Sequence, residues 1–223
     1  RNTARGANNF RFLENVADLP IRDLQGARDE PRMVATLRLA FERLERLGAT
    51  DARYLEFAAL GHSFDVRAVD WPGYFGGAAR DPRPPRVVRA CARPSEGRAF
   101  WAEVLAVDPD VQETFALRMS EAAFRALDEE ALLRRVQEEA DRRTARLEAE
   151  LLAPGRFRAT GERVRKFRLL LAEGMFDPAR DVEVDFNGRS YRKRARPDPR
   201  VLLVEFAERF DRTFLPVAEI TVP

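Results

Sequence analysis

The sequence predicts an α/β fold over residues 1–81, followed by a smaller α+β domain with antiparallel strands over residues 82–223. Three observations carry this prediction. A short apolar strand, an amphipathic helix and a second strand follow one another with short connections through residues 19–62. That order is half of a βαβ pattern and implies a right-handed crossover in a parallel sheet. Gly76, Gly77, Pro82, Pro84 and Pro85 then gather into a linker, with a boundary near Asp81. Beyond it, strand-like runs flank Asn187-Gly188, a strong two-residue hairpin signal.

Each element follows from local chemistry. Residues 1–9 are polar and read as loop, and Phe10, Phe12, Leu13 and Val16 give a short helical face. Leu19, Ile21 and Leu24 suit a buried strand over residues 21–25, and Gly26 permits the tight turn after it. Pro31 fits a first helical turn. Met33, Val34, Leu37, Ala40, Phe41, Leu44 and Leu47 make one apolar stripe, and Gly48 caps it. Tyr54 and Leu55 mark the next strand, over residues 53–57. Trp71, Tyr74 and Phe75 are expected to pack a short helix back on the sheet.

In the second part, strands are expected over residues 86–92, 99–107 (with Phe100 and Trp101 as anchors) and 113–119. Asp128 caps a charged helix expected to run through Leu152, with Glu129 and Glu130 in its first turn and Leu133, Val136, Ala140, Leu147 and Leu151 as its stripe. Pro154-Gly155 ends it. A strand over 164–172, a hairpin over 181–195, a helix over 201–210 and a strand over 217–222 complete the chain. The last helix is expected to carry Leu202, Leu203, Phe206 and Phe210 on one face.

Composition narrows the function. The 39 basic and 37 acidic residues of the 223 are interleaved, and the net charge is +2. No concentrated basic stripe would neutralise a run of phosphates, so nucleic-acid binding is not expected. Lys166 and Lys193 are the only lysines, an arginine bias that fits a GC-rich genome. Cys91 is the sole cysteine, which excludes an intrachain disulfide and a cysteine-based zinc site. No apolar run is long enough for a membrane span. The compartment is not legible.

The chemistry gathers at two strand exits. Asp29 follows the first strand, and His62, the only histidine, follows the second. In a Ser–His–acid triad the acid fixes the imidazole tautomer and the histidine moves the nucleophile's proton. Bland readings stand beside this one. A lone loop histidine is more often structural, and an aspartate there is a common turn residue or helix N-cap. Glu30 is a neighbouring rival carboxylate, while Asp65 and Asp70 read as caps or turn residues. Cys91 lies in a predicted strand without a partner base.

The stretch QGARDE, a helix, and a strand ending in GH together resemble the C-terminal part of α/β hydrolases, nearest to prolyl-oligopeptidase, dienelactone-hydrolase and polyester-depolymerase-like esterases. In these a strand ends in HGxxD, whose Asp is the catalytic acid, and a GH one helix and one strand later supplies the base. Asp29 and His62 match those positions. Gln25 stands where the family has its usually structural histidine. The resemblance covers roughly residues 10–80 and implies the C-terminal portion of a doubly wound hydrolase sheet. Residues 184–222 resemble an accessory C-terminal segment of some bacterial members.

The nucleophile is missing. None of Ser63, Ser95, Ser120 and Ser190 lies in GxSxG. Family order puts that serine before Arg1, so the chain is expected to be a fragment, or else a divergent protein without a nucleophile. The expectation is a serine hydrolase, an esterase or peptidase, whose partners are the upstream half of the same enzyme and a small ester or peptide substrate. No metal or cofactor is implied. The alternative is a non-catalytic binding or assembly module, in which the exposed charged helix and the hairpin would contact a partner.

Overall fold

The computed structural model describes residues 9–49, 51–63, 67, 69–76 and 81–223. The loop expected over residues 1–9 lies almost wholly outside them, as does Asp65. Among the described residues the content is mixed α and β, with three sheets whose strand pairs are mostly antiparallel. The chain divides into two compact units. One comprises Arg1–Arg80 with Thr114–Arg142, the other Asp81–Glu113 with Arg143–Pro223. The expected cut near Asp81 is therefore one of several crossings, because residues 114–142 belong with the first unit.

In the first unit, β1 (Ile21–Gly26) and β2 (Ala52–Phe57) pair in parallel, with Ile21 opposite Ala52 and Gly26 opposite Phe57. Between them runs α1 (Pro31–Arg46). Its end is set by Gly48 at a φ of +80°, with the Gly48 and Ala49 amides turned back onto the Glu45 and Leu44 carbonyls. Such a left-handed residue satisfies carbonyls that the helix leaves open. Leu39 of α1 packs against Leu133 of α4 (Glu129–Arg142), with Leu13 of the 3-10 helix Asn9–Val16 beside them. Arg43 joins the three helices, meeting Glu14 at 2.6 Å and Asp141 at 2.9 Å. The charged helix thus packs within its own unit. Phe75 of α2 (Trp71–Gly76) is 69% exposed, whereas Tyr74 donates to the Pro20 carbonyl at 2.8 Å and lies under Arg22. Only part of the expected aromatic packing of α2 is present.

The second unit is two sheets closed on one core. The first sheet contains β3 (Arg86–Cys91), β6 (Ala145–Ala153), β7 (Arg156–Glu162), β9 (Asp181–Phe186) and β10 (Arg189–Arg194), in the order β10-β9-β7-β6-β3. The second contains β4 (Arg98–Ala99), β5 (Ala102–Val107), β8 (Val164–Leu171) and β11 (Ala218–Val222), in the order β11-β8-β5-β4. All pairs are antiparallel except β7 with β9. Leu147, Phe157, Val182 and Val184 from one sheet meet Trp101, Val104, Phe167 and Leu169 from the other. Asn187 and Gly188 have φ of 50° and 78°, as a type I′ hairpin requires.

Four expectations are corrected here. The helix from Asp128 ends at Arg142, and residues 145–153 are strand β6. There Ala145, Leu147 and Ala149 face the core and alternate with Arg146, Glu148 and Glu150, a period of two. The strand expected over 99–107 is a tight hairpin, turning at Phe100, whose φ is 48°. Residues 113–119 form no strand, and β7 occupies residues to which no strand was assigned. Finally, α5 (Pro199–Arg209) buries Glu205 at 4% exposure and leaves Leu203 65% exposed, and Phe210, its left-handed cap, is 76% exposed. Its inward side faces Arg98 and Arg168, so a carboxylate and not a leucine is what that surface accepts.

Candidate functional site

Two parallel strands joined by one crossover end at the same edge, which is where open α/β sheets gather their catalytic groups. β1 ends at Gly26 and β2 at Phe57, which are register partners. Their exit loops are then fastened together. The Ala27 amide donates to the Phe57 carbonyl at 3.0 Å, and the Arg28 amide to the Leu60 carbonyl at 2.9 Å. The Asp29 amide turns back to the Gly26 carbonyl at 3.2 Å.

Gly26 is necessary for a reason different from the expected one. Its φ is not positive, so no special turn conformation demands glycine. A side-chain carbon there would instead meet the Leu60 carbonyl oxygen at 2.5 Å and the Gly61 carbonyl oxygen closer still. The β2 exit loop lies directly on the Gly26 backbone. Gly61, by contrast, has room: the nearest atom to an added carbon is the Arg28 carbonyl oxygen at 3.7 Å. Gly61→Ala is expected to leave the melting temperature within about 2 °C of wild type, the scale of a ΔΔG below about 0.5 kcal/mol. Differential scanning fluorimetry checks this.

This clamp brings Asp29 and His62 together. The Nδ1 atom of His62 lies 3.0 Å from Oδ2 of Asp29. Gln25 donates from Nε2 to the same Oδ2 at 2.8 Å, and the Glu30 amide donates to Oδ1 at 2.8 Å. The Asp29 side chain is 12% exposed and the His62 side chain 83% exposed. The carboxylate is thus enclosed and the imidazole projects into solvent. The Glu30 N–H, then the Gln25 amide and the His62 ring, hold the Asp29 carboxyl below its ordinary value. Glu30, the rival carboxylate, is exposed at the start of α1 and contributes its amide to Asp29. Asp70 stands immediately before α2 and accepts from the Gly73 amide at 3.1 Å.

The depressed acid makes a pH prediction. A lowered folded-state pKa adds stability that is complete above the ordinary carboxyl value of 3.8 and is lost as pH falls through the folded value, which lies below 3.8. Asp29→Asn is therefore expected to unfold at lower urea than wild type at pH 7. The gap between the two should narrow below pH 3.8. A gap independent of pH would exclude a stabilised carboxylate.

The four serines do not complete a triad. Ser63 is exposed beside His62, Ser95 lies in the short 3-10 helix Pro94–Glu96, Ser120 caps α3 (Glu121–Arg125) by accepting from the Ala123 amide, and Ser190 lies in β10. None stands on a strand-to-helix turn, where a nucleophile elbow belongs. Cys91 is fully buried in β3. A groove lined by Arg38, Phe41, Glu45, Ala52 and Tyr54 opens at the start of β2, the end opposite His62. Among the described residues, no group of three or more His, Cys, Asp or Glu side chains could hold a metal ion, and no helix is long and apolar enough to cross a membrane.

Sequence reasoning singles out Asp29 and His62, and places Gln25 only where the resembled family has a structural histidine. Its signal was a buried polar residue one position before the glycine, which becomes legible only once its two acceptors are known. Comparison with protein-family models, with curated proteins and with solved structures finds no match to this chain.

Proposed function

We propose that this chain supplies the acid and base of a Ser–His–Asp triad in a serine hydrolase that cleaves an ester or peptide bond. The nucleophile would lie on the part of the sheet that precedes β1. The observation that carries this reading is the 3.0 Å pairing of Asp29 with His62 at the exits of adjacent parallel strands. In that role Asp29 accepts the Nδ1 hydrogen. Nε2 takes the proton of the attacking serine, and the imidazolium formed is steadied by the ionised Asp29 before it protonates the leaving group. Among the described residues this parallel sheet has two strands, fewer than an independently stable sheet needs, and parallel sheets are stable with both faces covered by helices. That supports an upstream half as the partner.

The test expresses the reading frame that extends upstream of Arg1 together with this chain and follows p-nitrophenyl ester and peptide turnover. A GxSxG serine is expected there, with His62→Ala lowering kcat by about 10⁴-fold or more. This chain alone is expected to turn over neither substrate. Turnover by this chain that is abolished by Ser63→Ala and by His62→Ala alike would overturn the placement of the nucleophile.

The alternative, a non-catalytic binding or assembly module, draws support from α5, whose Leu203, Val204 and Phe210 face solvent. An upstream frame without any such serine would favour it.

A further inference from the structure

We infer that Gln25 is the positioning residue of the pair, fixing the Asp29 carboxylate and through it the tautomer of His62. This deepens the reading of Asp29 and His62 as acid and base and rests on it. Gln25 is 4% exposed and stands one residue from the end of β1. Its Nε2 faces two oxygens, the Gly26 carbonyl at 3.2 Å and Asp29 Oδ2 at 2.8 Å. A carbonyl and a carboxylate only accept, so chemistry fixes the orientation of the amide: the NH₂ group must point at them.

The consequences pass outward atom by atom. Oδ2 of Asp29 receives the Gln25 amide and the His62 ring, while Oδ1 receives the Glu30 amide. A carboxyl with both oxygens engaged by donors is held as the anion. An anion opposite Nδ1 requires a hydrogen on that nitrogen, so the neutral ring keeps its lone pair on Nε2, the atom that would take a proton from a nucleophile. The terminal torsion of an aspartate is broad and roughly two-fold. Glu30 holds one oxygen only. Without Gln25 the carboxylate can turn about that contact, and Oδ2 no longer has a fixed place beside His62.

The sole histidine makes the test clean, because an imidazole spectrum of the full chain contains one ring. Long-range ¹H–¹⁵N correlation on the wild-type chain is expected to report the Nδ1–H tautomer at a pH where the ring is neutral. Gln25→Met, which keeps length and removes the donor, is expected to lower the Nδ1–H to Nε2–H ratio about fivefold, the worth of one hydrogen bond of ordinary net strength. Asp29→Ala should lower it further. If Gln25→Met does not fold, the wild-type chain still decides. Its Gln25 side-chain amide is expected to resist hydrogen exchange and to shift in Asp29→Ala.

An unchanged tautomer ratio in folded Gln25→Met overturns the inference, as does free exchange of that amide in the wild-type chain. The two readings also fail separately. A Gln25-dependent tautomer without any His62-dependent hydrolysis in the extended frame would sink the hydrolase and leave the positioning role. His62-dependent hydrolysis with a Gln25-independent tautomer would do the reverse.

Discussion

Gly26→Ala is expected to separate the two halves of the candidate site while leaving the second unit intact. The added carbon would lie 2.5 Å from the Leu60 carbonyl oxygen and closer to that of Gly61, well inside any real contact. Both obstacles are backbone, so no side chain can rotate away. The loop carrying His62 must move, and the Arg28–Leu60 hydrogen bond at 2.9 Å moves with it. Overpacking of this kind costs about 3 kcal/mol, the upper end of the usual range, because relief requires backbone displacement. Gly48→Ala is the matched control. It has nothing within 4 Å but a φ of +80°, so it should cost about 1 kcal/mol from backbone strain alone and leave the His62 spectrum unchanged. Trp71 lies in the first unit and Trp101 in the second, so fluorescence of Trp71→Phe and Trp101→Phe backgrounds assigns each loss to its unit. A Gly26→Ala chain with wild-type stability and an unaltered His62 tautomer would show that the loop accommodates the carbon.

The same clamp explains why the closeness of Asp29 and His62 is legible in the sequence and the role of Gly26 is not. Two consecutive strands with one helix between them favour parallel pairing with both exits at one edge, so the pattern at residues 19–62 points to Asp29 and His62 as neighbours, as the register of β1 and β2 has it. That argument needs only order and period. The role of Gly26 and Gln25 depends on which carbonyls the other loop brings up to them, a non-local fact without local signature. The residues 145–153 failed for a related reason. Leu147 and Leu151 are spaced four apart, which fits a helix, yet every second residue from Ala145 to Ala149 is also apolar. No glycine or proline separates them from α4. Pairing with β3 and β7 on either side settles the choice, and that information lies up to 64 residues away, where Arg86 stands opposite Glu150. The turn at Phe100 carries no turn residue at all. It is held by what surrounds it: Trp101 is fully buried beside Phe157 and donates to the Pro84 carbonyl at 2.8 Å. Asn187-Gly188 needed no such help, because both residues tolerate positive φ.

Glu205→Ala is expected to destabilise the second unit by about 3 kcal/mol, the usual cost of removing one partner of a buried ion pair. Glu205 is 4% exposed and accepts from Arg168 at 2.9 Å. Its other oxygen meets Arg98 at 3.1 Å. The side chains of Arg98 and Arg168 are only 13% and 21% exposed; Glu103 lies 3.4 Å from one and 2.7 Å from the other, and Glu219 also holds Arg168 at 2.8 Å. Burial, the largest influence on Arg98, already pulls its guanidinium below its ordinary value; Glu205 is the first of the charges that oppose this. Removing that carboxylate leaves Arg168 with Glu103 and Glu219 but leaves the more buried Arg98 only a share of Glu103 at 3.4 Å, and α5 loses its ion pairs to the sheet beneath it. An exposed pair makes the comparison: Glu121→Ala, which removes an ion pair to Arg125 with both side chains 76% exposed, should cost less than about 0.5 kcal/mol. Urea unfolding followed through Trp101 in a Trp71→Phe background reads both. A Glu205→Ala midpoint indistinguishable from that of Glu121→Ala would mean that solvent already compensates the arginines, and that α5 is held by Val201, Leu202 and Phe206 instead.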